Sequence, residues 1–486
     1  MKETPIAAAF PLPGWLITLA LLPIALLLGF TAGDSFALMA AGCAGLLGLI
    51  AFRAAPLATP VKLIFVVIAV GFLQRLVGYL KAGEVRGANV GNLLLAICIC
   101  YWIFSGLQRG VLYRRTPIDQ WLFFFVIVFP CLSLAFTLNF RKIPGYETTE
   151  QLAWYKQWVT PFLYFFLLCQ SMDTKRDVKY LFYLILGLVG LVVLQGMPEV
   201  LRFSNWRESR SEGIVGQAND YAALLATTVP FFFLMLFLYT ERRRALFLAL
   251  LMLGCMGLSV VTTYSRAGYI GFIVALIGTL VVAYKATGKI TVLGPALLIT
   301  TICLVPIVAV PKVWESLESR FATETYKRAK RKSYSKFDSA NQYSGGRLEI
   351  WKGAIRIAED YPIFGSGFHS FRYMLPRYHY QHWSNYCHNQ FLGALAEGGI
   401  VLLIALSTLY WKLWRLLYHN WKVVFSQGDK TGVFICGGAI VSFLIMLVIS
   451  STNDFMNPGP KSTVFWIVMA GSIRYAMLAR EEEAPA

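Results

Sequence analysis

Blocks of 18–22 apolar residues, separated by short charged or turn-forming connections, recur along the whole of this 486-residue chain. A helix rises about 1.5 Å per residue and the hydrocarbon core of a bilayer is about 30 Å thick, so each block is long enough to cross it. Composition agrees, with 57% hydrophobic and 14% charged residues and a mean hydropathy of +0.59. A soluble chain carries about 25% charged residues. The expectation is an all-α, polytopic transmembrane helical bundle.

Candidate spans fall at roughly 15–32, 36–52, 62–80, 89–107, 118–138, 154–171, 179–197, 220–239, 245–263, 267–284, 290–310, 390–411, 432–450 and 461–478. The first follows a weakly charged Met1–Pro13 and reads as a span rather than a cleaved leader. The apolar run 245–284 is interrupted at Tyr264-Ser265-Arg266, so it holds two spans or one broken one. Four regions follow: membrane spans over 1–199, further spans over 200–310, a long loop over 311–388, and C-terminal spans over 389–486.

The formal charge of +18 invites a nucleic-acid reading. Against it, the cations sit in short clusters between apolar blocks, as topology signals do. With the N-terminus inside, the inner connections hold roughly twice as many Lys and Arg as the short outer ones, Arg242–Arg244 among them. No nucleic-acid partner is expected, and anionic lipid is the expected counter-charge. Eight of the nine cysteines lie in apolar blocks and only Cys387 in a long loop, so no disulfide framework is implied.

The connection Pro311–His388 is long enough to fold and escapes the positive-inside rule. It carries a basic run, Tyr326–Lys336, and then RLEIWKGAIRIAED, where Leu348, Trp351, Ile355 and Ala358 share one helical face opposite Lys352, Arg356 and Asp360. That is an amphipathic helix suited to capping a membrane bundle, ended by Pro362–Gly367.

Arg210, Arg266, Arg347 and His388 all map to the expected outer face. Arg266 opens a span, where it meets the positive end of the helix dipole and is flanked by apolar sequence. Two readings fit: snorkelling to headgroups, or binding an anion together with helix N-terminal N–H groups. His388 abuts a span, and as a neutral imidazole it could take a proton from a hydroxyl. Nearby arginines and a helix N-terminus would lower its pKa, and a backbone-bonded interfacial histidine is the bland alternative. Arg210 and Arg347 read equally well as solvated or headgroup-anchoring cations. Arg75, beside Gln74 in the third block, is a further candidate. Glu397 is out of helical phase with His388 and makes a poor direct partner for it. No nucleotide loop, dinucleotide fingerprint or metal-ligand pattern occurs, so no cofactor is expected.

Thr263-Tyr264-Ser265-Arg266-Ala267-Gly268, the stretch GGRLEIWKGAIRIAEDYPIFGSGFHSF, and His388-Asn389-Gln390-Phe391-Leu392 with Glu397-Gly398-Gly399 occur in this order around the long loop. Together, over roughly 200–415, they resemble the O-antigen ligase and polymerase superfamily of bacterial envelope glycosyltransferases. The resemblance implies a GT-C-like bundle of about 12–14 spans and a metal- and nucleotide-independent transferase at the periplasmic face of the inner membrane. It implies a glycan on undecaprenyl diphosphate as donor, with lipid A-core or another glycan as acceptor. By motif position it assigns Arg266 and Arg210, with Arg347, to the diphosphate and His388 to the acceptor hydroxyl, with Asn389 and Glu397 as supporting residues; Arg207 competes with Arg210. A transporter or flippase is the rival from another class. It would show repeat symmetry and helices broken at the midplane, neither of which is clear in the sequence.

Overall fold

The computed structural model describes residues 57, 59–76, 90–141, 143–201, 210–288, 346–378 and 384–483. The expected spans at 15–32, 36–52 and 290–310, the basic run Tyr326–Lys336 and the side chain of Arg75 lie outside the described residues. The described helices are α1 Thr59–Leu76, α2 Val90–Arg109, α3 Asp119–Arg141, α4 Thr148–Ser171, α5 Lys175–Leu201, α6 Ala218–Leu238, α7 Arg243–Thr263, α8 Arg266–Thr287, α9 Arg347–Asp360, α10 Gln390–Ser426, α11 Lys430–Ser450 and α12 Pro460–Glu483. Among the described residues there is no strand, and eight helices (α3, α5–α8 and α10–α12) are long and apolar enough to span a membrane. Helix α4 is not among them, because its first half, TTEQLAWYKQWV, is largely polar or amphipathic. The run 245–284 resolves into two helices, α7 and α8.

The chain divides into two compact units, residues 1–114 with 166–184, and residues 115–165 with 185–486. In the first, α1 packs on α2. The Gln170 side chain brackets the backbone of Arg114, accepting from its N–H at 2.6 Å and donating to its carbonyl at 2.9 Å.

The second unit is built around α6, which packs against α7, α8, α11 and α12. Its sequence is apolar on every side, and 94% of it is buried, against 39% of α8. The difference follows from pattern. On α8, Ile270, Ile273, Ile277 and Val281 recur at helical spacing on an exposed face, while Gly268, Gly271 and Ala275 form the buried one. The small residues let α8 approach α6 closely, as membrane helices do when packing rather than solvent drives association.

Helix α10 is broken at Gly399, whose φ of 62° and ψ of −163° only glycine adopts readily. This differs from the unbroken span expected from sequence. The groups freed at the break are satisfied by the loop segment 362–367, which lies alongside it. Ser366 and Gly367 N–H donate to the Ala396 and Glu397 carbonyls at 2.8 Å, and Ile400 N–H donates to the Pro362 carbonyl at 2.9 Å. Irregular backbone at membrane depth survives only where protein or water covers it, and here protein backbone does.

Helix α9 forms where expected, but its buried face is Ile350, Gly353, Ala354, Ile357 and Ala358, and Ile355 is exposed. The expected face was rotated because apolar residues occur on two overlapping stripes of this helix. The stripe carrying Ile350 and Ile357 joins Phe368, Phe371, Leu375 and Cys387 in one apolar cluster beneath the loop. Cys387 is thus a core residue, and every described cysteine is unbridged.

Candidate active site at the converging helix ends

The corner between α7 and α8 takes only two residues. Tyr264 is left-handed, at φ 51°, and Ser265 caps α8 by accepting the Gly268 N–H. A Cβ on Gly268 would lie 2.6 Å from that of Ala222, so glycine here lets the first turn of α8 press on α6. Arg266, the first residue of α8, is thereby held beside the start of α6.

Arg210 lies across the same corner. Its Nε donates to the Thr263 carbonyl at 2.7 Å and its Nη2 to Asn219 Oδ1 at 3.1 Å, while the Ser211 N–H donates to the Thr262 carbonyl. Arg210 therefore satisfies the Thr263 carbonyl at the end of α7 and ties it to the first turn of α6, while the Ser211 N–H satisfies that of Thr262. Arg347 opens α9 behind a left-handed Gly346. Burial lowers its pKa, Arg266 and Arg210 lower it further, and Asp454 pulls the other way. Arg210, Arg266 and Arg347, far apart in the chain, thus share one electrostatic neighbourhood.

His388 stands at the mouth of α10 with a φ of 54°. Its N–H donates to Asp454 Oδ2 at 2.7 Å. Its imidazole Nδ1 is buried with no hydrogen-bond partner. Burial, then Arg347 and Lys461, push the ring down to about 4, against the pull of Asn453 and Asp220. The direction is the one expected from sequence; the largest cause, burial, is a tertiary property. A free, neutral ring nitrogen beside cations can accept a proton from a bound hydroxyl.

Of the supporting residues, Asn389 caps α10: its Oδ1 accepts the Phe391 and Leu392 N–H groups at 3.0 Å and its Nδ2 reaches the Ser451 carbonyl. Glu397 does not bond His388. Its Oε1 accepts the Phe371 N–H at 3.0 Å and so holds the loop beside the helix break.

Three further groups complete the cluster. Lys461, in the first turn of α12, is 2% exposed and pairs with Asp220, in the first turn of α6. Asp454, in the link before α12, is buried, and burial raises its carboxyl to about 6 against the His388 N–H and Lys461. The signal that marks Arg266, a cation at the mouth of a span, is also present at Lys461. Asp220 and Asp454 carry no comparable signal, since a lone acid at a helix start is ordinary capping chemistry.

Four cations, Arg210, Arg266, Arg347 and Lys461, therefore outnumber the carboxylates that act on them, Glu212, Asp220 and Asp454. The first turns of α6, α8, α9 and α12 contribute to this neighbourhood, and each helix N-terminus adds partial positive charge. Among the described residues no group of His, Cys, Asp and Glu could hold a metal ion. The arrangement can hold an anion next to a free imidazole nitrogen.

No curated protein matches the chain. Residues 251–407, from within α7 through the helix break to the upper half of α10, match a family model described as O-antigen ligase. That segment contains Arg266, Arg347 and His388, and its fold is that of a multi-pass helical membrane protein. This match, within a multi-pass helical bundle, makes residues 251–407 similar to the O-antigen ligase family and supports a membrane glycosyltransferase of the ligase and polymerase type.

Proposed function

We propose that this protein moves a glycan from undecaprenyl diphosphate to an acceptor hydroxyl at the periplasmic face of the inner membrane, as an O-antigen ligase acting on lipid A-core. The observation that carries the reading is the convergence of Arg210, Arg266 and Arg347 with the free Nδ1 of His388. A diphosphate diester is an anion, of the sign that the excess of cations at the site attracts. The sugar–diphosphate bond already holds the energy of transfer, so the protein has only to stabilise the leaving diphosphate and activate a hydroxyl. In this mechanism Arg266 and Arg347 grip the diphosphate, and Arg210 adds charge while bracing the corner. His388 Nδ1 takes the acceptor proton as the hydroxyl oxygen attacks the anomeric carbon and the carrier diphosphate leaves. The outward orientation rests on the bias of Lys and Arg between connections.

A polymerase using a second carrier-linked glycan as acceptor is the alternative within the superfamily. The transporter reading gains the broken helix α10, but its break is sealed by loop backbone and exposes no free carbonyls to a substrate.

The test is transfer from a lipid-diphosphate glycan by the protein in nanodiscs, with chelator present and nucleotide absent. Arg266→Lys should weaken donor binding and lower turnover, because an ammonium cannot reproduce the planar fork. A folded Arg266→Lys protein with unchanged donor affinity and rate would rule out the diphosphate clamp. In a deletion strain, long glycans accumulating on the carrier would support the ligase, and single repeats the polymerase.

A further inference from the structure

A partly open cavity lies beside the site and shares Asp454 with it. Its walls are aromatic, with Trp154 and Trp158 of α4 and Phe125 and Phe129 of α3. Its polar lining comes from His369, Asn385, Gln390, Glu397, Asp454 and Asn457.

His369 is 8% exposed and its ring is fixed on two sides: Trp154 lies over it at 4.1 Å, and Nδ1 meets Gln151 Oε1 at 3.0 Å. The amide of Gln151 donates to Tyr373, so its oxygen is the acceptor and Nδ1 carries the proton. That leaves Nε2 as a bare acceptor, and it is buried without a partner. Trp158 Nε1, a donor, is also buried without a partner. Burial and Arg372 push the His369 ring down to about 3, so it stays neutral. Buried polar atoms are normally paired, and here two residues that line the same cavity carry one unpaired acceptor and one unpaired donor.

The lining selects the occupant. It contains no Lys or Arg, so it offers phosphate no counter-charge. A hydrocarbon chain would leave its polar groups unpaired at a cost of kilocalories each. Aromatic walls with a few placed donors and acceptors suit a small amphipathic ligand.

We propose that the cavity is a saccharide subsite, seating one neutral sugar ring with His369 Nε2 accepting from a ring hydroxyl and the Trp158 N–H donating to a sugar oxygen. The assignment of the ring to a glycan substrate rests on the transferase reading above; binding of the ring itself does not. The ring belongs to the donor glycan or to the acceptor.

The probes are methyl glucoside, methyl galactoside and methyl N-acetylglucosaminide, offered to the protein in nanodiscs free of glycoside detergent and read by saturation-transfer NMR. At least one should receive saturation. His369→Asn, which tolerates the left-handed φ of 52° at this position, and Trp158→Phe should each weaken it by about five- to tenfold. Inorganic pyrophosphate, measured on the same samples, should bind as in the parent protein and be lost in Arg266→Ala. Failure of pyrophosphate binding alone would overturn the diphosphate clamp and leave the subsite standing. In transfer assays on folded His369→Asn, a raised KM for the acceptor assigns the ring to it, and a raised KM for the donor assigns it there. No saturation of any glycoside, or saturation unchanged in both variants, would overturn the subsite and leave the cavity to water.

Discussion

His369 and His388 are alike in every local respect: each has a left-handed backbone, at φ 52° and 54°, each is held neutral by burial, and each keeps one ring nitrogen unpaired. Their surroundings separate them. His388 faces Arg347 and Lys461 and is anchored through its N–H to Asp454. His369 lies under Trp154, is pinned by Gln151, and borders aromatic walls. An imidazole among cations is placed to handle a proton next to an anion. An imidazole among aromatic rings is placed to read a hydroxyl. Neighbours, not residue type, set the difference.

The strongest way to break this contrast is to make the same substitution at both positions. His388→Asn should keep donor binding and lower turnover by about 10²–10⁴, the scale of general base catalysis. His369→Asn should raise KM with turnover nearly unchanged. Steady-state and single-turnover kinetics on folded variants distinguish the two, and equal losses of turnover would erase the distinction. Next in size is the scaffold of the His369 side. In Gly399→Ala a Cβ would lie 2.3 Å from the Ile363 carbonyl oxygen on a backbone only glycine adopts readily. The melting transition in nanodiscs should report a loss of at least about 3 kcal/mol. On the His388 side, Asn389→Ala removes a helix cap and should cost about 1 kcal/mol. The smallest effect is on pH. With the His388 ring at about 4, the base form persists above that value and is lost only below it. The acid limb of kcat/KM should therefore centre near 4, with less than about a twofold change between pH 7 and 6. A limb near the ordinary histidine value of about 6.5 that persists in Asp454→Asn, which removes the carboxyl that titrates at about 6 beside it, would remove His388 from the role.

The two sides were unequally legible in the sequence. Cations at the mouths of apolar blocks are costly and conspicuous, so Arg266 and, through motif order, Arg210, Arg347 and His388 stood out, and the structure draws them together. Trp154 and Trp158 lie in a partly apolar block and His369 in a long loop, and neither setting carries a signal of its own. Nothing local says that these three surround a cavity. Asp220, Asp454 and Lys461 depend on pairings between the first and last turns of different helices, which no periodicity encodes. The break at Gly399 was missed for the same reason, because its glycines announce a weak point but not the loop that seals it.

The pairing of Lys461 with Asp220 has a consequence for biogenesis. The partners are 241 positions apart, and α6 enters the membrane long before α12 is made. Until then the most enclosed helix of the bundle has lipid where α11 and α12 will pack, and its acidic first turn waits at the headgroups for a counter-ion. Loop 362–367 likewise waits for the residues on both sides of the break in α10. A ribosome that stalls before the final helix therefore releases a chain whose charge cluster is unfinished.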